Sequence, residues 1–165
     1  MARSPLRERL DRVPQVGAVA WLGVRPGHGD PMRTLELARA LEDRGLEGDR
    51  VTRTAGGKRQ VTLIMAEHLD VIARLLGLDA IDPAQVRRNV VVRGINLRAL
   101  ERMRFTLGEV ELEGTGPCEP CAKMDTALGD GAFQAMRGHG GITARVIRGG
   151  EIRIGDPVRA LHRVG

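Results

Sequence analysis

Aromatic side chains are nearly missing from this sequence, which has two phenylalanines, one tryptophan and no tyrosine in 165 residues. Single-stranded nucleic acids are held largely by stacking bases on aromatic rings, so no nucleic-acid partner is expected. Cysteine is almost as scarce. Two thiols, Cys118 and Cys121, cannot make the framework of a disulfide-stapled secreted domain. Apolar runs of the roughly 18 residues that span a bilayer are lacking, so no membrane partner is expected. The opening stretch MARSPLRERLDRVPQ mixes arginines with Glu8 and Asp11, and no apolar segment of signal-peptide type follows it. Residues 1–14 therefore read as a frayed or weakly helical, flexible lead-in to a cytoplasmic protein. Lysine is the last scarcity, since Lys58 and Lys123 are the only two and the other 24 of 26 basic residues are arginine. The planar guanidinium fork suits phosphate and carboxylate. With a formal charge of +5, this favours an anionic ligand, while interspersed acidic residues leave an ordinary solvated surface as the alternative.

What is present is a core of Leu, Val, Ile, Met and Ala in a chain long enough to bury it without metal or disulfide. VGAVAWLGV (16–24) is a β-favourable run stopped by the loop Arg25-Pro26-Gly27-His28-Gly29-Asp30-Pro31. MRTLELARALEDRG (32–45) reads as a helix, with Leu35, Ala38 and Leu41 near one face, although Thr-Leu-Glu-Leu also suits a short strand. RQVTLIM (59–65) alternates as a strand, and AEHLDVIARLLG (66–77) places Leu69, Ile72, Ala73 and Leu76 at helical spacing. Asp82-Pro83 suits a short helix start. NVVVRG (89–94), RFTLG (104–108) and EVELEGTG (109–116) are short strands, and AKMDTALG and GAFQAMRG are short helical pieces. ITARVIRGGEIRIGDPVRAL (142–161) reads as two strands joined in a hairpin at Gly149-Gly150, with a bend at Asp156-Pro157. Short strands between glycine-rich turns imply a mainly β twisted barrel or sandwich with inserted helices.

The two cysteines sit in GTGPCEPCAKMD (114–125). Structural zinc needs further thiols or histidines at fixed spacing, and His28, His68, His139 and His162 are scattered. A redox pair of the thioredoxin kind belongs at a helix start in a βαβ setting, whereas the flanking segments here are short strands. An inert buried turn and a reactive thiol beside Lys123, with Gly114 and Gly116 leaving backbone open to a ligand, both remain.

Five stretches in order, GLEGDR (45–50), KRQVTLIMAEHL (58–69), RRNVVVRGINL (87–97), LEGTGPCEPCAKM (112–124) and RGHGGITARV (137–146), resemble the MOSC family, the domain at the C-terminus of molybdenum cofactor sulfurases and of many small bacterial proteins. The resemblance implies a β-barrel-like fold with inserted short helices, forming one domain over residues 15–163. It implies the molybdenum cofactor, whose pterin carries a phosphate. Some members reduce N-hydroxylated compounds with a cysteine-ligated molybdenum, and Cys121 matches that cysteine. Thiolate is a soft donor suited to such a centre. Cys118 becomes a neighbouring thiol, a sulfur relay or packing.

Asp125 lies four residues after Cys121, on the same side if that stretch is helical, and is a candidate for passing protons to a hydroxylamine oxygen. The resemblance implies that His139 in RGHGG is near the pocket, as a catalytic hydrogen-bond donor to a small-molecule substrate. Arg88 and Asn89, then Lys58 and Arg59, with Lys123, are candidates for holding phosphate and pterin. Each also has a plain reading as a surface charge, an ion pair or, for the RGHGG stretch, a glycine turn. The sequence contains no pyridoxal-phosphate sulfurase segment of the kind found in the sulfurase members, and no flavin or iron–sulfur module. Reduction therefore needs a separate electron-donor protein, and sulfur transfer a separate sulfur-donor protein. A non-enzymatic carrier of sulfur or cofactor is the alternative function. Relatives often carry a histidine or aromatic residue soon after the Gly-Asp pair. This chain reads Asp49-Arg50-Val51-Thr52 there, which leaves the substrate class open.

Overall fold

Ser4 starts the first element: its hydroxyl accepts a hydrogen bond from the Arg7 amide, and Pro5 opens helix α1, Pro5–Asp11. The computed structural model describes residues 2–165. After α1 come strands β1 (Gly17–Val24), β2 (Arg33–Leu35), β3 (Leu37–Leu41), β4 (Gly45–Leu46) and β5 (Val61–Met65), and then helix α2 (Ala66–Leu75). Strands β6 (Val90–Arg93), β7 (Met103–Leu107) and β8 (Val110–Pro117) precede the short helices α3 (Lys123–Leu128) and α4 (Ala132–Met136). Strands β9 (Ile142–Arg148), β10 (Gly150–Arg153) and β11 (Pro157–Arg163) end the chain.

Seven strands in the order β11-β7-β8-β9-β5-β6-β1 close into a barrel through pairing of β11 with β1, and β2 extends the sheet beyond β1. Neighbours run antiparallel except β5 and β6, where Leu63, Ile64 and Met65 lie beside Val90, Val91 and Val92 in parallel. A parallel pair needs a crossover, and α2 supplies it. This explains the uninterrupted apolar runs VTLIM and VVV. Val61, Leu63, Val90 and Val92 fill the barrel interior, while Ile64 and Val91 face outward into a second core with Leu69 and Ile72 of α2 and Met124 and Met136 of α3 and α4. Strands buried on both faces lose their alternation. The second core fixes α3 and α4, and so the cysteine segment before them, against the outside of β5 and β6.

Two expectations are corrected. Residues 32–45 are not a helix but β2, β3 and the start of β4. Ala38 and Ala40 point inward on alternate positions of β3, and that strand pairs with β10 from Gly150↔Ala40 to Arg153↔Leu37. Long-range pairing overrides the local helix preference of Leu-Glu-Leu-Ala-Arg-Ala-Leu. For the same reason Gly149-Gly150 makes no hairpin, because β10 leaves β9 to join β3 and β4 in a separate three-stranded sheet. A Cβ on Gly149 would come within 2.6 Å of the Ala40 carbonyl oxygen, so the glycine permits a close strand approach.

Candidate functional site

Asp49 organises one wall of a deep cleft. It is buried, and its carboxylate accepts hydrogen bonds from the amides of Val51 and Arg25 and, at 2.8 Å, from Asn89 Nδ2. Asn89 also donates to the Gly23 carbonyl and accepts at Oδ1 from the Thr62 amide and hydroxyl. Both lone pairs and both N–H bonds of the Asn89 amide are thereby engaged. It pins β1, β5 and β6 together at the cleft, and no amide valence is left for pairing with a ligand.

Arg88 lies beside it with 4% exposure. Its Nε donates to the Gly140 carbonyl at 2.8 Å, Nη1 to Val86, and Nη2 to the carbonyls of Cys118 and Glu119. The guanidinium clamps the cysteine segment to the Gly140 turn. Burial pushes its pKa down, and the nearby Cys118 thiol opposes that shift. A hydrogen-bonded fork facing carbonyls on three segments serves as a structural staple, where phosphate contact was expected.

The cleft has a volume of about 840 Å³, within the usual range for small-molecule sites. Its lining includes Arg25, Arg50, Arg53, Arg59, Arg87, Arg88 and Lys123 against only the carboxylates of Asp49 and Glu119. The Arg25 pKa is driven down first by burial and then by Arg87, with Arg50 and Arg59 adding to the effect and Asp49 opposing it. Its Nε is buried without a hydrogen-bond partner. Crowded guanidinium groups with an unsatisfied donor favour an anion. Cys121 is exposed and lines this cleft, whereas Cys118 is buried and does not, and both are free thiols.

Of the residues singled out in the sequence, the structure brings Cys121, Arg59, Arg88, Asn89 and Lys123 to one cleft. It leaves Lys58, Cys118, Asp125 and His139 outside the lining. Asp125 is exposed and caps α4, with Oδ1 accepting from the Phe133 amide at 2.7 Å. Helix α3 begins at Lys123, so Cys121 and Asp125 do not share a helical face. His139 stacks edge-on against His68 of α2, with ring centroids 5.0 Å apart. Sequence reading missed Arg25, His28, Asp49, Arg50, Arg53 and Arg87. Two signals were there to be read: the surplus of arginine, and the emphatic loop 25–31 around a lone histidine. Among the described residues no three His, Cys, Asp or Glu side chains cluster as a metal site. A centre whose other sulfurs come from a cofactor asks for one protein thiolate, and the exposed Cys121 meets that requirement.

Comparison with known structures places the fold. The chain is similar to the YuaD protein from Bacillus subtilis, with a TM-score of 0.77 at 20% identity, covering 93% of this chain and 100% of that one. It is also similar to YiiM from Escherichia coli, with a TM-score of 0.65 at 23% identity, covering 93% of this chain and 71% of that one. For YiiM from Geobacillus stearothermophilus the TM-score is 0.63 at 15% identity, with 88% and 75% covered. The search of curated proteins gives no match. The model of the MOSC domain matches residues 49–159, a span that runs from the buried aspartate of the cleft through the cysteine segment to the last strand. The chain belongs to the MOSC domain family.

Proposed function

We propose that the arginine-lined cleft binds the phosphorylated pterin of the molybdenum cofactor, with Cys121 Sγ as the protein's ligand to the metal. One observation carries this reading. The exposed thiol opens into the same cleft as seven cationic side chains, and one of them, Arg25, has a buried donor without a partner. In this reading residues 15–163 act as one domain. Arg25 and Arg59 hold the phosphate, Lys123 adds positive charge beside Cys121, and Arg88 and Asn89 position the walls without touching the ligand. When bound, the cofactor would supply two-electron redox chemistry, with an N-hydroxylated small molecule as substrate and electrons from a separate protein. Quantifying molybdenum and pterin against protein purified from a cofactor-competent host tests the reading. Near-equimolar metal in the parent and its loss in Cys121→Ala is the expected result. Parent protein free of both metal and pterin overturns it.

A carrier function is favoured by a different observation. Asp125 and His139, the expected catalytic groups, lie away from the cleft. A domain that holds cofactor or a persulfide on Cys121 for another protein needs neither. A mass increase of one sulfur on Cys121 after exposure to a sulfur donor, without turnover of an N-hydroxylated substrate, supports it.

A further inference from the structure

Loop 25–31 carries the only imidazole that lines the cleft among the described residues, that of His28. Arg50 Nη1 lies 2.7 Å from His28 Nδ1. A guanidinium has donors and no acceptor, so this hydrogen bond requires Nδ1 to be unprotonated. A ring that accepts at Nδ1 carries its hydrogen on Nε2. The same loop is held by two more cleft arginines, because Arg53 Nη2 donates to the Pro26 carbonyl and Arg87 Nη2 to the Asp30 carbonyl, each at 3.3 Å. Three cleft cations thus each donate one hydrogen bond to an acceptor of one short loop. Two of those acceptors are carbonyls that cannot change character. His28 alone can turn from acceptor into donor, by taking a proton at Nδ1.

Arg50 reaches the ring from the turn after Asp49, and Arg25, Arg53 and Arg87 line the same cleft as the ring. Asp30 folds back over Gly27, and the Asp49 carboxylate is turned onto Val51, Arg25 and Asn89. Arg50 and a protonated Nδ1 are both donors and cannot bond each other, whereas an anion between them accepts from both. We propose that His28 and Arg50 form a proton-coupled clamp for a doubly charged anionic group, such as a phosphate monoester. The ring takes one proton from solvent at Nδ1, the Arg50–His28 hydrogen bond breaks, and both groups then donate to the same anion. The clamp rests on the anion-binding reading of the cleft and adds to it a discrimination, since a dianion recruits the proton better than a monoanion.

Sulfate is the probe, because it stays doubly charged across the pH range of histidine. Titration calorimetry from pH 5.5 to 8.5, in buffers of different ionisation heat, counts protons taken up per sulfate bound. The expected result is uptake approaching one proton, with affinity falling as pH rises by no more than tenfold per pH unit. His28→Gln should bind sulfate with no uptake and an affinity that changes less than about twofold over the range. Long-range ¹⁵N–¹H correlation spectra should show the Nε2–H tautomer of His28 in the free protein and both nitrogens protonated with sulfate. Sulfate binding that Arg25→Gln and Arg59→Gln weaken, but without proton uptake, or uptake unchanged in His28→Gln, overturns the clamp alone. No binding, or binding that neither arginine variant weakens, overturns the cleft reading with it.

Discussion

Arg88 is a buried cation whose four hydrogen bonds all go to backbone carbonyls, on three segments of the chain. Gly140 and Gly141 belong to the same arrangement. A Cβ on Gly140 would overlap the Cys118 carbonyl oxygen, and one on Gly141, which has a φ of +89°, would overlap the Leu63 carbonyl. The glycines of RGHGG are thus explained by close backbone approach rather than by the turn alone. Arg88→Ala should cost on the order of 3 kcal/mol, since it strands several buried carbonyls at once. Arg88→Lys should recover only part of that, because an ammonium cannot span three segments as the planar fork does. Urea unfolding midpoints of the two variants against the parent check this. Equal midpoints for all three would show that the carbonyls find water instead.

Helix α2 was legible because Leu69, Ile72 and Ala73 are both periodic in sequence and buried in fact. Strand β5 was legible from its β-branched residues, although the alternation read there is absent in a strand buried on both faces, and β6 from its run of valines. Strand β3 and the partner of β10 were not, since what decides them is a pairing between residues more than a hundred positions apart. The same distinction governs the cleft. Cys121, Arg59, Lys123, Arg50 and Arg87 lie in stretches whose order is itself a signature, whereas His28 lies outside them, and the meeting of its loop with those of Arg50 and Arg87 is a consequence of the fold. His139 shows a third case: its segment was recognised, but its partner is His68 on α2. Burial holds the His68 pKa down, and the neighbouring His139 adds to the effect. An imidazole depressed in the folded state binds fewer protons there than in the unfolded chain, so stability rises with pH. The contribution is complete above the ordinary histidine value of about 6.5 and is lost as pH falls through the lower folded value. Melting temperatures at pH 7.5 and pH 5 should therefore differ less in His68→Asn than in the parent. An unchanged difference would assign the acid sensitivity to other groups.

At the scale of the whole molecule, barrel closure is uneven. Strands β8 and β9 pair along a register from Glu111↔Arg148 to Pro117↔Ile142, while the closing seam between β1 and β11 has only Gly17↔Val158 and Ala18↔Pro157. Pro157 has no N–H to give, and the seam is completed by Val19 N donating to Asp156 O and Gly155 N donating to Val19 O. Buried Val158 and Val19 seal it from inside. Few backbone hydrogen bonds over a short length mean a low free energy of local opening. Opening there leaves most of the second core in place, because α2, α3 and α4 pack mainly on β5 and β6, with Ala20 and Trp21 of β1 at its margin. Native-state hydrogen exchange should find the amides of Val19 and Gly155 exchanging through a sub-global opening, with protection below that of the β8 and β9 amides. Seam amides that exchange at the same rate as β8 and β9, with the same dependence on denaturant, would instead mean that the barrel opens only as one unit. Loop 25–31 leaves the barrel from the end of β1, so the seam strand also carries the histidine of the cleft. An opening confined to the seam should therefore respond to sulfate: anion binding in the cleft should raise the protection of Val19 while leaving that of β8 and β9 unaltered up to the global limit.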